Sequence, residues 1–201
     1  MLDRDFDRGW AHICVDMQSI FAEDTHWHAP WLNRVLPAIE RLVESSAERT
    51  IFTRFLPPSV PEEAQGAWQR YYEHWIDMTR DRLPPALLDL VPPLARFVPP
   101  AQTFDKPVYS PWLRGDLHRF LQSRGIKTLI VSGGETDVCV LATVLGAIDL
   151  GYHVVLPEDA LFGSADETHV AMLSIYRSRF QMQLSVTSVE DILDLWREQR
   201  R

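Results

Sequence analysis

The chain has 201 residues, of which 46% are hydrophobic and 24% are charged, as is usual for a folded globular domain. Its formal net charge of −8 argues against nucleic acid or an anionic membrane as the main partner. No apolar run approaches the ~20 residues of a membrane span, and the charged N-terminal segment lacks a secretory apolar core. Two cysteines do not make a disulfide framework, so a cytoplasmic location is the default expectation.

Apolar strand patterns alternate with helix patterns along the chain. The predicted strands cover residues 11–16, 50–55, 102–104, 128–132, 153–157 and 183–187. The predicted helices cover residues 32–46, 112–124, 140–150, 166–180 and 189–200. Strands that alternate with helices of this length form right-handed βαβ units. We therefore predict one α/β domain over residues 1–201, a three-layer αβα, Rossmann-like fold whose mostly parallel sheet has about six strands and helices on both faces.

The segment 56–100 departs from this alternation, because it carries much of the proline of the chain. Within it, four aromatic residues have the spacing of one helix face. They are Trp68, Tyr71, Tyr72 and Trp75. We interpret the segment as an excursion whose aromatic helix lies over the edge of a functional site or docks a neighbouring subunit. Aromatic stripes of this kind serve packing more often than recognition.

The stretch around Cys139 carries the strongest indication of function. An apolar strand stops at Gly133-Gly134, and a helix is predicted to begin at or just before Cys139. A thiol at such a turn lies beside the positive end of a helix dipole and near unpaired backbone N–H groups. Both favour the thiolate, which is the nucleophilic form of cysteine. The alternative is a small, inert residue that packs the first turn of the helix.

Two other polar residues belong to the same hypothesis. Asp16 ends the first predicted strand, and the carboxyl ends of parallel strands border the crevice where open α/β sheets bind ligands. Lys106 lies in a short, partly apolar segment with no other basic residue near it. Taken singly, Asp16 is equally well a helix cap or a turn residue. Lys106 taken singly is more often a solvated surface charge.

Together these pieces resemble the isochorismatase-like cysteine hydrolases, the family of isochorismatase, nicotinamidase and N-carbamoylsarcosine amidohydrolase. The resemblance runs from about residue 16 to the segment 186–193 and begins with Asp16 at the end of the early strand. The Lys-x-x-Tyr-Ser-x-aromatic pattern is present as Lys106, Tyr109, Ser110 and Trp112. The Ser-Gly-x-x-Thr-x-x-Cys-Val-x-x-Thr signature is present as Ser132, Gly133, Thr136, Cys139, Val140 and Thr143.

This resemblance implies a catalytic triad of Asp16, Lys106 and Cys139. Lys106 would supply a positive field, and Asp16 would take the thiol proton and return it to the leaving group. The resemblance also implies an oxyanion hole formed by the amides of Glu135 and Cys139, with a cis peptide between Gly134 and Glu135. The implied course is a thioester or related acyl-enzyme that water then hydrolyses.

Four residues are assigned to substrate binding. Phe21 matches a family position that lines the pocket, and Trp112 and Thr143 belong to the two motifs. Arg54 lies at the end of the second predicted strand, where its guanidinium either clamps a substrate carboxylate or forms a salt bridge.

The histidine pattern argues against a metal. Nicotinamidases carry an Asp-x-His…His cluster after the second strand, whereas here Phe52-Thr-Arg-Phe-Leu-Pro-Pro is followed by no histidine until His74. His26-Trp-His28 offers two imidazoles but no further ligand at a recognisable spacing. We therefore predict no metal and no cofactor, and nicotinamidase activity is disfavoured.

The predicted function is hydrolysis of a C–N bond in a small amide, ureido or carbamoyl substrate, similar to the N-carbamoylsarcosine amidases. One alternative is vinyl-ether hydrolysis of the isochorismatase type, which need not use a thiol nucleophile. The other alternative is a catalytically silent fold that serves as an interaction module. Family members are commonly dimers or tetramers, so we expect a homodimer or homotetramer.

Overall fold

A computed structural model describes residues 9–199. The strands in this part of the chain are β1 (Trp10–Val15), β2 (Thr50–Phe55), β3 (Gln102–Lys106), β4 (Thr128–Gly134), β5 (His153–Pro157), β6 (Leu161–Phe162) and β7 (Leu184–Thr187). They form a parallel sheet in the order β3-β2-β1-β4-β5-β7, and the short β6 pairs with β4.

Helices surround this sheet. The α-helices of the described residues are α1 (Ser19–Ala22), α2 (Leu32–Ser46), α3 (Ala67–His74), α4 (Pro92–Ala95), α5 (Asp116–Ser123), α6 (Cys139–Asp149), α7 (Asp166–Arg179) and α8 (Val189–Gln199). Short 3-10 turns cover Ala47–Arg49, Pro61–Glu63, Ile76–Met78, Pro85–Leu88 and Glu158–Ala160. None of these helices is long and apolar enough to cross a bilayer.

Each face of the sheet has its own hydrophobic core. On one face of the sheet, Cys14 of β1 packs in a core with side chains of α2, α8 and the segment 56–100. Ile13 and Val15 belong to the other core, which is completed by α5, α6 and α7. Both faces are covered, so every residue of β1 is buried, as is usual for a central parallel strand. The predicted three-layer α/β fold is confirmed.

The observed bounds differ from the predicted ones in a few places. The strand β6 was not predicted, because two residues are too short to show a period. The helix α5 begins at Asp116 rather than at 112, because Gly115 in the left-handed region closes a turn onto the Trp112 carbonyl just before it. The charged N-terminal segment, 1–8, and the predicted helix end at 200 lie outside the described residues.

The segment 56–100 forms α3, α4 and three 3-10 turns and contributes no strand to the sheet. Its buried side chains join the core on the α2 side of the sheet: Tyr72, Met78, Leu83, Leu90, Val91 and Leu94. The segment therefore shares this core, and α3 presents its aromatic side chains toward the carboxyl edge of β2, where the ring centroids of Trp68 and Phe55 are 6.4 Å apart.

Candidate active site

Three predicted site residues converge at the carboxyl edge of the sheet. Lys106 is the last residue of β3, Asp16 follows β1, and Cys139 begins α6 after β4. The strand order brings these ends together although the residues are far apart in sequence. Lys106 Nζ lies 2.7 Å from Asp16 Oδ2 and 3.4 Å from Cys139 Sγ. The lysine thus stands between the carboxylate and the thiol.

Hydrogen bonds to its carboxylate and its backbone hold Asp16. Its Oδ1 accepts from the Thr53 hydroxyl at 2.7 Å, its Oδ2 accepts from Lys106, and its own amide donates to the Thr53 carbonyl at 3.2 Å. Its φ of 52° lies in the left-handed region, which aspartate tolerates better than most residues. This backbone geometry turns the carboxylate of a buried residue toward the thiol.

Lys106 is buried and uses its three ammonium donors. Besides Asp16 and Cys139, its Nζ donates to the Val108 carbonyl at 3.3 Å. The Nζ also lies 5.1 Å from the centre of the Phe55 ring, a distance typical of cation–π contacts. Burial acts to lower the pKa of Lys106, but the carboxylate of Asp16 in the first place, and the contact with Cys139, outweigh it and raise the pKa overall. The lysine therefore remains an ammonium group.

The Cys139 thiol does not rest as a thiolate. Burial raises its pKa, and this effect exceeds the lowering by Lys106, while Asp16 raises it further. Burial thus opposes the preference for the thiolate that the helix start and the backbone N–H groups predict from the sequence. The resting arrangement is a protonated thiol beside an Asp16–Lys106 ion pair, with a carboxylate ready to accept the thiol proton.

The turn between β4 and α6 presents backbone donors next to the thiol. The Gly134–Glu135 peptide is cis. The carbonyl of Glu135 accepts from the amides of Val138 and Val140, at 3.1 and 3.0 Å. The amides of Glu135 and Cys139 donate to no acceptor among residues 9–199. Two unpaired N–H groups beside a nucleophile can stabilise the oxyanion of a tetrahedral intermediate.

Side chains from α7 brace this turn from behind. The Tyr176 hydroxyl donates to the Thr136 carbonyl at 3.0 Å, and the ring Nδ1 of His169 is 2.8 Å from the Thr136 hydroxyl. Both Thr136 and Tyr176 are fully buried. The backbone of the turn is therefore fixed before any ligand binds, which is what oxyanion stabilisation requires.

Glycine is required at both positions before the turn. Gly133 has a φ of 98°, and a Cβ there would meet the Val15 carbonyl oxygen at 2.1 Å. A Cβ at Gly134 would meet the Phe162 ring at 2.3 Å. The Gly-Gly pair thus lets β4 approach β1 and β6 closely enough to bring Cys139 to Asp16.

The thiol opens into a cavity of about 220 Å³. Its walls come from the loop after β1, the end of β2, α3, the loop after β3 and the turn before α6. The lining residues are Phe21, His26, Trp27, His28, Phe55, Tyr71, Tyr109, Glu135, Val138, Cys139 and Ser164. A second cavity of about 620 Å³ is larger. Of Asp16, Lys106 and Cys139, only Lys106 lines this second cavity. The smaller cavity is therefore the candidate substrate pocket.

The four predicted substrate-binding residues have different places. Phe21 lines the cavity. Arg54 does not, because its guanidinium binds both oxygens of Asp105, at 2.7 and 2.9 Å, and this salt bridge is the other role that the sequence left open. The Trp112 indole donates to the Thr143 carbonyl at 2.9 Å, and the Thr143 hydroxyl donates to the Cys139 carbonyl at 2.7 Å. Trp112 and Thr143 thus stabilise α6 and do not line the cavity.

Sequence reasoning missed several cavity residues. The sequence shows Tyr109 only as part of a motif, yet Tyr109 lines the cavity and its ring centroid lies 4.7 Å from that of Trp68. The pattern His26-Trp-His28 suggests only a metal ligand pair, yet both histidines line the cavity and Trp27 between them is the centre of the aromatic wall. The aromatic spacing of 68–75 was the available signal for Tyr71, but spacing does not show which ring faces a ligand.

Within residues 9–199, no group of three or more histidine, cysteine, aspartate or glutamate side chains is arranged to hold a metal ion. His26 and His28 both line the cavity, and the His26 ring lies 5.5 Å from the ring of Trp75. Metal independence stays a prediction that chelation can test.

Comparisons with known proteins identify the family and the fold of this chain. The family model "Isochorismatase domain" matches residues 10–191. A probable inactive nicotinamidase of Arabidopsis thaliana is 24% identical over 171 residues, 82% of this chain and 86% of the relative. A cysteine hydrolase from Pseudomonas syringae pv. phaseolicola 1448A superposes with a TM-score of 0.76 at 21% identity, over 92% of this chain and 91% of its own.

A further structural neighbour is the N-carbamoylsarcosine amidase from Thermoplasma acidophilum. It superposes with a TM-score of 0.70 at 18% identity, over 90% of this chain and 96% of its own. Similarity at this level of identity shows a common fold. The family model covers nearly the whole described chain, and the chain belongs to the isochorismatase family.

Proposed function

We propose that this protein is a cysteine hydrolase that cleaves the C–N bond of a small amide, ureido or carbamoyl substrate. The observation that carries the proposal is the position of Lys106 Nζ, 2.7 Å from Asp16 and 3.4 Å from the Cys139 sulfur. A buried thiol next to a carboxylate and an ammonium group has both the base and the positive field that a cysteine nucleophile needs. The N-carbamoylsarcosine amidase among the structural neighbours supports this reaction class.

The reaction begins when the substrate carbonyl lies beside Cys139 with its oxygen toward the amides of Glu135 and Cys139. Asp16 takes the thiol proton, and the sulfur adds to the carbonyl carbon, so that a C–S bond forms and the carbonyl electron pair moves to the oxygen. The two amides stabilise the resulting oxyanion. Lys106 stabilises the developing negative charge on sulfur while its proton stays in place, in keeping with its raised pKa.

Collapse of the tetrahedral intermediate breaks the C–N bond. Asp16 returns its proton to the leaving nitrogen, which departs as ammonia or an amine, and a thioester remains on Cys139. Water then adds to the thioester carbonyl while Asp16 accepts its proton. The C–S bond breaks, the acid product leaves and the thiol is restored. For a primary amide the sum is one amide and one water converted to one carboxylate and one ammonium ion.

A substrate screen with a product readout tests this proposal. Small primary amides, ureido acids and carbamoyl compounds are incubated with the protein, and ammonia is measured. We expect ammonia release that Cys139→Ala abolishes and that Cys14→Ala retains, because Cys14 is buried within β1, away from the cavity.

The same screen separates the alternatives. Pyruvate release from isochorismate, with no ammonia from any amide, would identify vinyl-ether hydrolysis instead. No product from any compound, together with a Cys139 that resists alkylation, would favour a catalytically silent module, as the name of the Arabidopsis relative suggests for that protein.

We also propose that the chain assembles as a homodimer or homotetramer, as members of its family commonly do. The helix α7 leaves Val170 63% exposed and Ile175 40% exposed, and Met182 after it is 89% exposed. Burial of these apolar side chains against a second copy would stabilise an assembly. Light scattering coupled to size-exclusion chromatography measures the mass, and a monomeric mass at micromolar concentration would contradict the proposal.

A further inference from the structure

The cavity beside Cys139 has an unusual balance of charge. Among the described residues that line it, Glu135 is the one with a carboxylate, and no lysine or arginine lines it. Lys106 stands behind the thiol, where Asp16 neutralises it at 2.7 Å. The lining also includes His26 and His28. Among its acidic, lysine and arginine side chains, the lining therefore has one negative group and no positive one.

The Glu135 carboxylate is held in place and has a free oxygen. Its Oε2 accepts from the Ser164 amide at 2.8 Å, while its Oε1 has no partner among residues 9–199. The negative charge of Glu135 also acts on Tyr109. The pKa of Tyr109 is raised first by burial, then by Cys139 and then by Glu135. Burial likewise raises the pKa of Tyr71, so both phenols stay protonated and their rings act as neutral aromatic faces.

The remaining walls are aromatic. Trp27 lies at the centre, with ring centroids 6.4 Å from Phe21, 5.8 Å from Phe55 and 6.0 Å from Tyr71. Tyr109 closes the other side, 6.4 Å from Phe55. Aromatic faces attract cations, and rings arranged as a cage are a recurrent way to bind quaternary ammonium groups. The Lys106 ammonium group already lies at cation–π distance from the Phe55 ring.

A carboxylate-bearing substrate fits this cavity poorly. The one arginine at the end of β2, Arg54, is occupied by Asp105 on both oxygens and by Asp89 at 3.4 Å. An anionic substrate would meet Glu135 without a cation to balance it, and like charges in a partly buried site are unfavourable. The cavity volume of about 220 Å³ is below the range for drug-sized ligands, so the substrate is small.

We propose that the substrate is a small amide with a cationic group, such as a quaternary or protonated amine, which the aromatic walls and Glu135 bind while Cys139 attacks the carbonyl. This inference rests on the proposed amidase function and adds the charge class of the substrate. The caging rings and Glu135 would act as specificity determinants, and Asp16, Lys106 and Cys139 would act on the bond that breaks.

A matched pair of amides tests the charge preference. Trimethylammonioacetamide and 3,3-dimethylbutanamide have the same shape, and they differ in whether a positive nitrogen or a neutral carbon carries the three methyl groups. Ammonia release at pH 8 gives kcat/KM for each, and N-carbamoylsarcosine serves as the anionic comparison. We expect kcat/KM for the cation to exceed that for the neutral amide by about tenfold or more, the order of one cation–π contact plus one opposite charge.

Variants locate the preference within the cavity. Glu135→Gln keeps an acceptor for the Ser164 amide but removes the charge, so it should reduce the cation-to-neutral ratio several-fold. The ratio is the readout because any disturbance of the nearby backbone affects both amides alike. Glu73→Gln removes the same charge from α3 outside the cavity, where Glu73 is exposed and bonded to Gln69, and should leave the ratio unchanged.

The Cys139→Ala variant allows binding of the amides to be measured without turnover. Calorimetry measures the Kd of this variant for the cationic and the neutral amide. Tighter binding of the cation by tenfold without any turnover of either amide by the wild type would support the cation site and overturn the amidase proposal. Equal or tighter binding and faster turnover of the neutral or anionic compound would overturn the cation inference and leave the amidase proposal standing.

Discussion

The side chain of Gln18 forms hydrogen bonds with both backbone groups of Phe55. Its Oε1 accepts from the Phe55 amide at 2.7 Å, and its Nε2 donates to the Phe55 carbonyl at 3.1 Å. The same Nε2 donates to the Leu88 carbonyl at 2.8 Å, and Gln18 is fully buried. One side chain therefore joins the loop after Asp16, the end of β2 and the segment 56–100, which together form much of the cavity wall.

Gln18→Leu should destabilise the protein strongly. The substitution leaves up to three buried backbone groups without a partner, so we expect the free energy of unfolding to fall by roughly 2–4 kcal/mol. Urea unfolding followed by circular dichroism measures the change. Gln69→Leu is the control, because Gln69 lies in α3 and bonds the side chain of Glu73 at an exposed position. Equal midpoints for the two variants would show that the Gln18 contacts contribute little.

Iodoacetamide should alkylate Cys139 well before Cys14. Cys139 is 7% exposed and lines the cavity, whereas Cys14 is 0% exposed, and burial raises the Cys14 pKa to about 12. Because burial also raises the pKa of Cys139, its alkylation should be slow at neutral pH and accelerate as pH rises. Peptide mapping by mass spectrometry assigns the labelled site. Earlier modification of Cys14, or full turnover by Cys139→Ala, would contradict the proposed nucleophile.

Variants of Asp16 and Lys106 should have separable effects. Asp16→Asn tolerates the left-handed backbone but lacks the base, so kcat should fall on the order of a hundredfold or more. Lys106→Met removes the positive neighbour and should raise the Cys139 pKa further, which moves the half-maximum of alkylation to higher pH. The measurement is the pH profile of alkylation in wild type and both variants. An unmoved profile in Lys106→Met with weaker substrate binding would make the lysine a substrate clamp.

Activity should survive removal of metal ions. No metal cluster forms among residues 9–199, and the proposed steps use only Asp16, Lys106, Cys139 and backbone amides. Dialysis against a strong chelator should leave kcat/KM essentially unchanged. Loss of activity on chelation with recovery on addition of Zn²⁺ or Fe²⁺ would instead indicate a site that includes His26 and His28. The variant His26→Ala, His28→Ala would then lose the recovery.

Stability should fall in acid because of His12. Its ring nitrogens lie 3.2 Å from the Thr50 hydroxyl and 2.7 Å from the Ser132 hydroxyl, and burial lowers its pKa from 6.5 to about 3. Between these two pH values the unfolded chain binds a proton that the folded chain does not, so stability is lost as pH falls below 6.5. We expect a loss of about 2 kcal/mol from pH 7.5 to pH 5 from this residue.

Urea unfolding at the two pH values measures this loss. His12→Gln should show a pH dependence smaller by about that amount, whereas His74→Gln, at an exposed position of α3, should keep the wild-type dependence. An unchanged pH dependence in His12→Gln would contradict the assignment.

Sequence patterns predict the α/β fold that the structure has, and the family resemblance names three residues that the structure brings together. The strands at 50–55 and 153–157 and the helix at 32–46 have the predicted bounds, because the strands are short runs rich in β-branched and apolar residues and the helix has a buried apolar face at helical spacing. Asp16, Lys106 and Cys139 were found through a family pattern, since no local signal relates residues separated by tens of positions. The carboxyl edge of a parallel sheet then accounts for their convergence.

The chemistry around these residues depends on contacts between elements that are distant in the sequence. From the sequence, Arg54 could either bind a substrate carboxylate or form a salt bridge. The pairing of β2 with β3 places Asp105 beside Arg54, and the salt bridge forms. The pKa of Cys139 depends on how far burial, which raises it, outweighs the positive charge of Lys106, which lowers it. The cavity wall joins Phe21, Trp27 and Tyr71 from separate segments. Exclusion of water and side-chain contact depend on distances between elements, whereas local sequence patterns report only the periodicity within one element.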